Sequence, residues 1–246
     1  MTYTIGQQTM AKGMMRIANF IEHSYGSPLR DEKLRVSIYP TVSGGVGYGK
    51  DLAGRFSVNT EVYVWPFLVN RESGLLAFPS GRLLEGLLQY YKPHLHVPFD
   101  DVTNEGVTIM TMYRTLRKLD IPENQIKLAA MMDRAGVTDA SVVDLTQYKD
   151  AIQPGFKHPL KMVIPPKDAS PKRPSKDDML GELQRRGRIP THDAILTSPS
   201  IPRITLERYY NEYYPELPPT LVALTVLEVT GRGKIPRELI SGITRT

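Results

Sequence analysis

Hydrophobic and polar positions follow two different periods in the first 100 residues of this chain. Apolar residues recur every three or four positions over residues 8–23, which predicts an amphipathic helix. A similar stripe predicts a second helix over 80–91, ended by Pro93. Residues 34–42 and 56–69 alternate β-branched or aromatic side chains with polar ones and are predicted to be strands. The glycine-rich stretch between them favours a long hairpin connection.

The pattern after residue 100 is less regular. Residues 107–119 are apolar without a clear period, whereas 122–135 begin with a proline in the first turn and end at Gly136, as a helix would. Further predicted helices are 138–149, 175–186 and 205–214, and 220–230 is predicted to be a buried strand. Helices and strands alternate irregularly, so the pattern predicts an α+β fold of mixed helices and a mainly antiparallel sheet.

A long extended, proline-rich basic arm interrupts these elements. Residues 153–203 contain nine of the twenty prolines, and residues 157–188 carry nine Lys and Arg against four acids. Because proline fixes φ and removes a backbone donor, this stretch is predicted to be extended. The predicted units are a compact α+β domain over 1–150, the arm with one short helix over 151–203, and a C-terminal helix–strand segment over 204–246, packing on a neighbour or on the first domain.

Composition excludes several classes of protein. The 246 residues include no cysteine, which excludes disulfides, thiolate zinc sites and a cysteine nucleophile. The first residues lack the apolar core of a secretory signal, and no apolar run reaches the about 20 residues that span a bilayer. We therefore expect a protein with no membrane contact, located in the cytoplasm or in an assembled particle and not secreted through a signal peptide.

The glycine-rich stretch contains the spacing of a phosphate-binding loop. Gly44 and Gly49-Lys50 match GxxxxGK after a predicted strand, but Asp51 stands where Ser or Thr would hold magnesium. A carboxylate there would repel phosphate, and the following residues return to a strand pattern. The sequence thus favours a glycine-rich hairpin tip, since glycine tolerates positive φ without steric cost.

Two histidines between prolines offer a second kind of chemistry. On a strand, His94 and His96 would point to the same face and could share a metal ion. The arrangement resembles the His-hydrophobic-His motif of the HUH endonucleases, which nick single-stranded DNA with a metal and a tyrosine nucleophile. That resemblance would make Tyr113 or Tyr148 the nucleophile. Pro93 and Pro98 weigh against it, because proline is rare inside a central strand.

Aromatic and basic residues in the second half suggest binding surfaces. Tyrosines with an adjacent arginine can pack internally, form a partner interface or stack on bases. Clustered Lys and Arg suit phosphate groups or an acidic partner surface, or form a solvated loop. The predicted partner interface comprises Tyr209, Tyr210, Tyr213 and Tyr214, and the predicted contacts to nucleic acid or an acidic partner are Lys172, Arg173, Lys176, Arg185, Arg186 and Arg188.

The leading hypothesis from these features is a structural subunit of a large oligomeric particle, such as a virus or bacteriophage capsid, connector or tail component. Its basic arm would contact neighbouring subunits or nucleic acid, in a homo-oligomer or among other structural subunits. Alternatives are a HUH-like nicking enzyme and a regulatory nucleic-acid-binding module. The adjacent carboxylates Asp100 and Asp101 suggest no acid–base pair, and common hydrolase motifs are missing. No cofactor or metal is expected. These features weigh against an enzyme without excluding one.

Overall fold

The computed structural model describes residues 7–26, 33–42, 44–70, 74–79, 81–146 and 174–191. A 3₁₀ turn, Glu123–Gln125, precedes the sixth strand. In chain order the other elements are α1 (Gln7–Ser24), β1 (Leu34–Pro40), α2 (Gly45–Ala53), β2 (Thr60–Val64), β3 (Leu68–Asn70), β4 (Leu75–Phe78), α3 (Gly81–Tyr91), β5 (Leu95–Thr103), α4 (Val107–Lys118), β6 (Ala129–Asp133), β7 (Ala140–Asp144) and α5 (Lys176–Arg185).

The main sheet has five parallel strands in the order β2-β1-β5-β6-β7. The expectation of an α+β fold with a mainly antiparallel sheet is therefore wrong, and the fold is α/β. A parallel neighbour needs a crossover connection, which α2 supplies between β1 and β2 and α4 supplies between β5 and β6. Antiparallel pairing within the described residues is confined to the small β3–β4 hairpin.

Helices cover both faces of the sheet and form two apolar cores. One core packs α1 and α2 against residues such as Val36, Ile38 and Val97 of the central strands. The other packs α3, α4 and α5 with Tyr39, the β3–β4 hairpin and the loops around β6. Parallel sheets are buried in this way because their crossover helices lie on both faces. The helices that follow β1 and β5, α2 and α4, therefore lie on opposite faces of the sheet, which determines where the site lies.

Three predicted helices are confirmed, whereas two other predicted helices and one predicted hairpin connection are wrong. α1, α3 and α5 match 8–23, 80–91 and 175–186, and Ser175 Oγ accepts a hydrogen bond from Asp178 N at 3.1 Å as the cap of α5. The glycine-rich stretch is α2 and not a hairpin tip. Residues 122–135 and 138–149, predicted as helices, contain β6 and β7 instead. Buried parallel strands have no polar face, so their short apolar runs resemble helix segments.

Several predictions fall outside the described residues. These are the extended arm over residues 151–173 and 192–203, the helix over 205–214, the strand over 220–230 and the packing of residues 204–246. The three-part division of the chain thus remains a prediction. Among the helices that the structure describes, none combines the length and apolar character needed to cross a membrane.

Candidate functional site

A crevice opens at the carboxyl ends of β1 and β5. Strand β1 ends at Pro40, opposite Phe99, so the next residues of β5, Asp100 and Asp101, extend past the end of their neighbour. The chain leaves β1 for α2 on one face and leaves β5 for α4 on the other. In open α/β sheets, ligands bind where consecutive connections diverge in this way. The topology therefore identifies this edge of the sheet as the candidate site.

Asp100 is a largely buried carboxyl group at this edge. Its Oδ1 accepts hydrogen bonds from Thr41 Oγ1 at 2.9 Å and from the backbone N of Asp101 at 3.0 Å. Burial is the main cause that raises the pKa of Asp100 above its ordinary value, the Asp101 side chain adds to the increase, and the Thr41 hydroxyl opposes it. Asp100 is therefore a carboxyl group that a ligand hydroxyl or a proton can stabilise.

The glycine turn after β1 lies against this acidic pair. A side chain on Gly44 would overlap the Asp101 carboxylate, and a Cβ on Gly45 would lie 2.7 Å from Thr41 Oγ1. Glycine is therefore required for the start of α2 to approach β5 closely. The stretch is not a GxxxxGK phosphate loop, because the helix already begins at Gly45, well before Lys50. In the structure this turn packs against Asp101 at the end of β5, beside the crevice.

The loop between β5 and α4 lines the crevice. Gly106, with φ of 82°, turns the chain in the left-handed region into the first turn of α4. No side chain in the described part of the chain caps this helix end, and the first N–H groups of an α-helix have no partner within the helix. The 104–106 turn and the start of α4 therefore present backbone donors at the crevice.

Asp133, at the carboxyl end of β6, holds this loop in place. Its Oδ1 accepts from Thr103 Oγ1 at 2.6 Å and from Gly136 N at 2.8 Å. Its Oδ2 accepts from the Thr138 hydroxyl at 2.6 Å and the Thr138 backbone N at 3.0 Å. The side chain is fully buried, and each of its oxygens has two donors. Such complete hydrogen bonding indicates that Asp133 positions two loops and does not itself contact a ligand.

The crevice encloses a cavity of about 210 Å³ and opens to solvent at its mouth. This volume lies below the range of about 300–1,000 Å³ that pockets for drug-sized ligands have, so the crevice suits a small ligand. Arg188, from the turn after α5, reaches this crevice and forms an ion pair with Glu105 at 3.1 Å. The lining residues are Asp100, Val102, Thr103, Asn104, Glu105, Gly106, Val107, Thr108 and Arg188.

The proposed histidine–tyrosine nuclease site is not assembled. His94 and His96 lie at the amino end of β5, away from the crevice. Both ring nitrogens of His94 contact Arg35, at 3.2 and 3.1 Å. The Nδ1 atom of His96 is 2.9 Å from the Tyr39 hydroxyl, and burial lowers the pKa of His96 to about 4. Within the described residues, no cluster of three or more His, Asp or Glu could hold a metal ion.

The tyrosines of that hypothesis have other environments. Tyr113 is buried in α4, and its hydroxyl donates to Asp177 Oδ1 at 3.0 Å. Burial first, and then the Asp177 carboxylate, raise the pKa of Tyr113, so it is poorly suited to be a nucleophile. Tyr148 lies outside the described residues. Pro98 does occur inside the central strand, opposite Tyr39, although proline is uncommon there.

The predicted basic contacts separate into different roles. Lys176 Nζ binds Asp139 Oδ2 at 2.8 Å and the Ile126 carbonyl at 2.9 Å, so it anchors α5. Arg185 and Arg186 both pair with Glu182 on the exposed side of α5. Arg188 is the member of this set that lines the crevice. The predicted contacts Lys172 and Arg173 and the predicted interface residues Tyr209, Tyr210, Tyr213 and Tyr214 lie outside the described residues.

Sequence reasoning missed Asp100, Asp101 and the loop that follows them. The signal was present: the apolar run Leu95–Phe99 is followed by two carboxylates, and Gly106 stands just before an apolar segment. This succession of residues is typical of a buried strand that is followed by a ligand-binding loop and then by a helix. The hypothesis that Pro98 excludes a central strand concealed it.

No family model matches the sequence, and no curated protein matches it. Among solved structures, the chain is similar to a hypoxanthine phosphoribosyltransferase from Staphylococcus aureus, with 12% identity, a TM-score of 0.41, and coverage of 61% of this chain and 77% of that one. It is also similar to the Trypanosoma cruzi hypoxanthine phosphoribosyltransferase in complex with the product IMP, with 13% identity, a TM-score of 0.43, and coverage of 58% and 83%. Similarity at this level assigns neither a family nor an activity.

The hypothesis of a virion-type structural subunit is wrong, as are its nuclease and regulatory alternatives. The described residues form an open parallel α/β sheet with a crevice at its switch point. The assembly hypothesis depended on the extended arm, whereas the candidate site lies in the part predicted to be a compact domain. Whether the chain has protein or nucleic-acid partners stays an untested prediction.

Proposed function

We propose that this protein is an enzyme that binds a 5-phosphorylated ribose compound in the crevice at the ends of β1 and β5 and transfers its phosphoribosyl group. One observation carries the proposal: Asp100 and a glycine-containing loop belong to one strand–loop–helix unit and line the same crevice, with Asp101 next to Asp100 in the strand. A ribose phosphate carries hydroxyl donors at one end and a phosphate acceptor at the other. The crevice offers carboxylate acceptors for the hydroxyls at the end of β5 and N–H donors for the phosphate at the start of α4.

The acidic pair suits the ribose hydroxyls. Carboxylates accept hydrogen bonds from vicinal hydroxyl groups, as acidic residues do for ribose in other α/β proteins. Asp100 gains most from such a contact, because its charged form is disfavoured by burial and an added donor would stabilise it. Asp101 lies beside it, next to the glycine turn of α2. The sugar would therefore lie against Asp100, at the side of the crevice nearest to Asp101.

The loop after β5 suits the phosphate. Backbone N–H groups in the first turn of α4 and the hydroxyl of Thr108 can donate to phosphate oxygens. Thr103 is held by Asp133, so the loop is fixed before a ligand arrives. Such preorganisation reduces the entropy that binding must overcome.

The transfer reaction follows from the chemistry of an activated ribose. In a 5-phosphoribosyl 1-diphosphate, the bond from C1 to the diphosphate oxygen breaks and the diphosphate leaves with the electron pair. A nucleophilic nitrogen of the acceptor forms the new bond to C1 and gives up its proton. Mg²⁺ is commonly bound by one or two carboxylates together with substrate phosphates, so assays include MgCl₂.

The first test is calorimetric titration with ribose 5-phosphate at fixed ionic strength. Asp101→Asn should weaken binding about 10-fold or more, because hydrogen bonds to charged groups are the strong ones. Asp120→Asn is the matched control, since Asp120 is exposed in the turn after α4 and outside the crevice lining. Absence of wild-type binding, or equal binding by both variants, would contradict the proposal.

The second test is turnover. The wild-type protein is incubated with 5-phosphoribosyl 1-diphosphate and one acceptor at a time, beginning with hypoxanthine and other purine and pyrimidine bases, and diphosphate release and nucleotide formation are measured together. We expect stoichiometric formation of both products with at least one acceptor. Binding of ribose 5-phosphate without transfer to any acceptor would limit the function to ligand binding.

A further inference from the structure

The turn that follows α5 is rigidly attached to the crevice. At the start of α5, Lys176 is anchored at the amino ends of β6 and β7 through Ile126 and Asp139. At its other end, Ile189 is fully buried, and the backbone N of Arg188 donates to the Leu183 carbonyl at 2.8 Å. Helix α5 thus runs along one face of the sheet towards the edge that contains the crevice.

Close packing fixes the backbone of Arg188 against the β3–β4 hairpin. Gly74, with φ of 64°, lies so near the Arg188 carbonyl that a side chain at residue 74 would overlap it. A left-handed glycine at that position lets the two segments meet. The Arg188 side chain, in contrast, is about half exposed, at 50%. The backbone of Arg188 is therefore fixed by packing, whereas its guanidinium group is accessible to solvent.

The guanidinium group is held by a contact that a ligand could replace. Both Nε and Nη2 of Arg188 contact the same oxygen, Oε2 of Glu105, at 3.2 and 3.1 Å, and the Glu105 side chain is 57% exposed. Exposed ion pairs contribute little stability, so exchanging the partner costs little. Arginine binds phosphate through two parallel N–H donors, which makes a phosphate a stronger partner than one shared carboxylate oxygen.

We propose that Arg188 binds the phosphate group of the phosphoribosyl ligand directly, and that it leaves Glu105 when the ligand enters. This inference rests on the proposed function and identifies the cation of its site. Glu105 holds the arginine at the crevice in the free protein and competes with the ligand for it. Of the basic residues at the end of α5, Arg188 is thus the one that we expect to bind a small anionic ligand.

Charge alone cannot explain such a role, and the chain provides a control. Arg186 lies two residues earlier, is exposed, and pairs with Glu182 rather than with a residue of the crevice. Removing either arginine changes the net charge equally. A direct contact predicts that only Arg188 matters strongly, whereas a general positive field predicts similar effects at both positions.

The experiment is a titration of ribose 5-phosphate at fixed ionic strength into the wild type, Arg188→Gln, Glu105→Gln, the double variant and Arg186→Gln. We expect Arg188→Gln to weaken binding about 10-fold or more and Arg186→Gln to change it less than about 2-fold. Glu105→Gln should tighten binding, because it removes both the competitor and a repulsive charge. Thermal unfolding of each variant verifies that the fold is intact.

The double variant distinguishes contact from neutralisation. If Arg188 contacts the phosphate, then adding Arg188→Gln to Glu105→Gln still weakens binding about 10-fold. If the arginine only neutralises Glu105, that loss disappears in the Glu105→Gln background, which overturns the inference. Equal losses at Arg186 and Arg188 also overturn it. Failure of the wild type to bind ribose 5-phosphate overturns both this inference and the proposed function, whereas wild-type binding unaffected by Arg188→Gln overturns this inference alone.

Discussion

Asp133 is the buried charge on which the geometry of the crevice depends most. Four donors from Thr103, Gly136 and Thr138 saturate its two oxygens. An amide at this position would turn its NH₂ group towards at least one of those donors. Asp133→Asn should therefore lower the free energy of unfolding by about 1 to 3 kcal/mol, the cost of leaving a buried donor unsatisfied. Denaturant unfolding measures this change.

Asp144 provides the matched control for that substitution. It stands at the same end of the adjacent strand β7 and accepts from the N and Oγ1 atoms of Thr146, but it is exposed. Water can replace those contacts, so Asp144→Asn should change stability by less than about 0.5 kcal/mol. Equal losses in the two variants would show that Asp133 has no special position in the loop structure.

His96 should make the stability of the protein depend on pH. Its pKa in the folded state is lowered to about 4 by burial, whereas an unfolded histidine has a pKa of about 6.5. Between these values the unfolded chain binds the additional proton, so the free energy of unfolding falls as the pH falls through this interval. His96→Asn should make that decrease shallower. Denaturant unfolding at several pH values measures it.

The exposed His23 serves as the comparison for His96. His23→Asn controls for the loss of an exposed imidazole, and the effect of burial is the difference between the two variants. A variant at His96 with the same pH dependence as the wild type would contradict the assigned burial of its imidazole.

The same histidine shows why single residues were hard to interpret from sequence. Histidines at positions i and i+2 suggest a metal site, and only the folded sheet shows that His96 is a buried partner of Tyr39.

At the scale of elements, helix α2 contributes its glycines to the site unequally. A methyl group on Gly44 would overlap the Asp101 carboxylate, while one on Gly47 would meet no atom within 4 Å. Gly44→Ala should displace the Asp101 side chain and weaken ribose 5-phosphate binding, with little loss of stability because a side-chain carboxylate can rotate away. Gly47→Ala should leave binding unchanged and stabilise the helix by about 0.5 to 1 kcal/mol. Calorimetry and denaturant unfolding measure the two effects.

A decrease in affinity for both glycine variants, or for neither, would contradict the view that Gly44 positions the Asp101 carboxylate for the ligand. Stability that falls strongly in Gly44→Ala would show that the overlap is resolved by movement of the backbone. The two outcomes are separable because binding and unfolding are measured on the same proteins.

The helices that the sequence predicted well have one polar face. α1 and α3 are amphipathic surface helices, and α5 has a serine cap and two acids in its first turn. Strand β6, predicted to be a helix, is buried on both faces. Ala129–Asp133 consists of Ala-Ala-Met-Met-Asp, residues of good helix propensity that lie in a strand because β5 and β7 pair with it on either side.

At the scale of the whole molecule, the order of strands determines where the site lies. The order β2-β1-β5 depends on contacts between residues about 60 positions apart, such as Val36 with Leu95, and local periodicity contains no information on such pairing. The acidic pair could be seen in the sequence, but its location at a switch point could not. The sequence also grouped the basic residues near α5 together, whereas the folded chain separates them into the anchor Lys176, surface ion pairs at Glu182, and the crevice residue Arg188.

The central claim is that a phosphorylated ribose lies at the carboxyl ends of β1 and β5. The most direct measurement is a crystal structure of the protein with ribose 5-phosphate. We predict electron density for the phosphate at the 104–108 turn and for the ribose hydroxyls at Asp100 and Asp101. Ligand density elsewhere on the molecule, or an empty crevice in crystals grown at saturating ribose 5-phosphate, would contradict the claim.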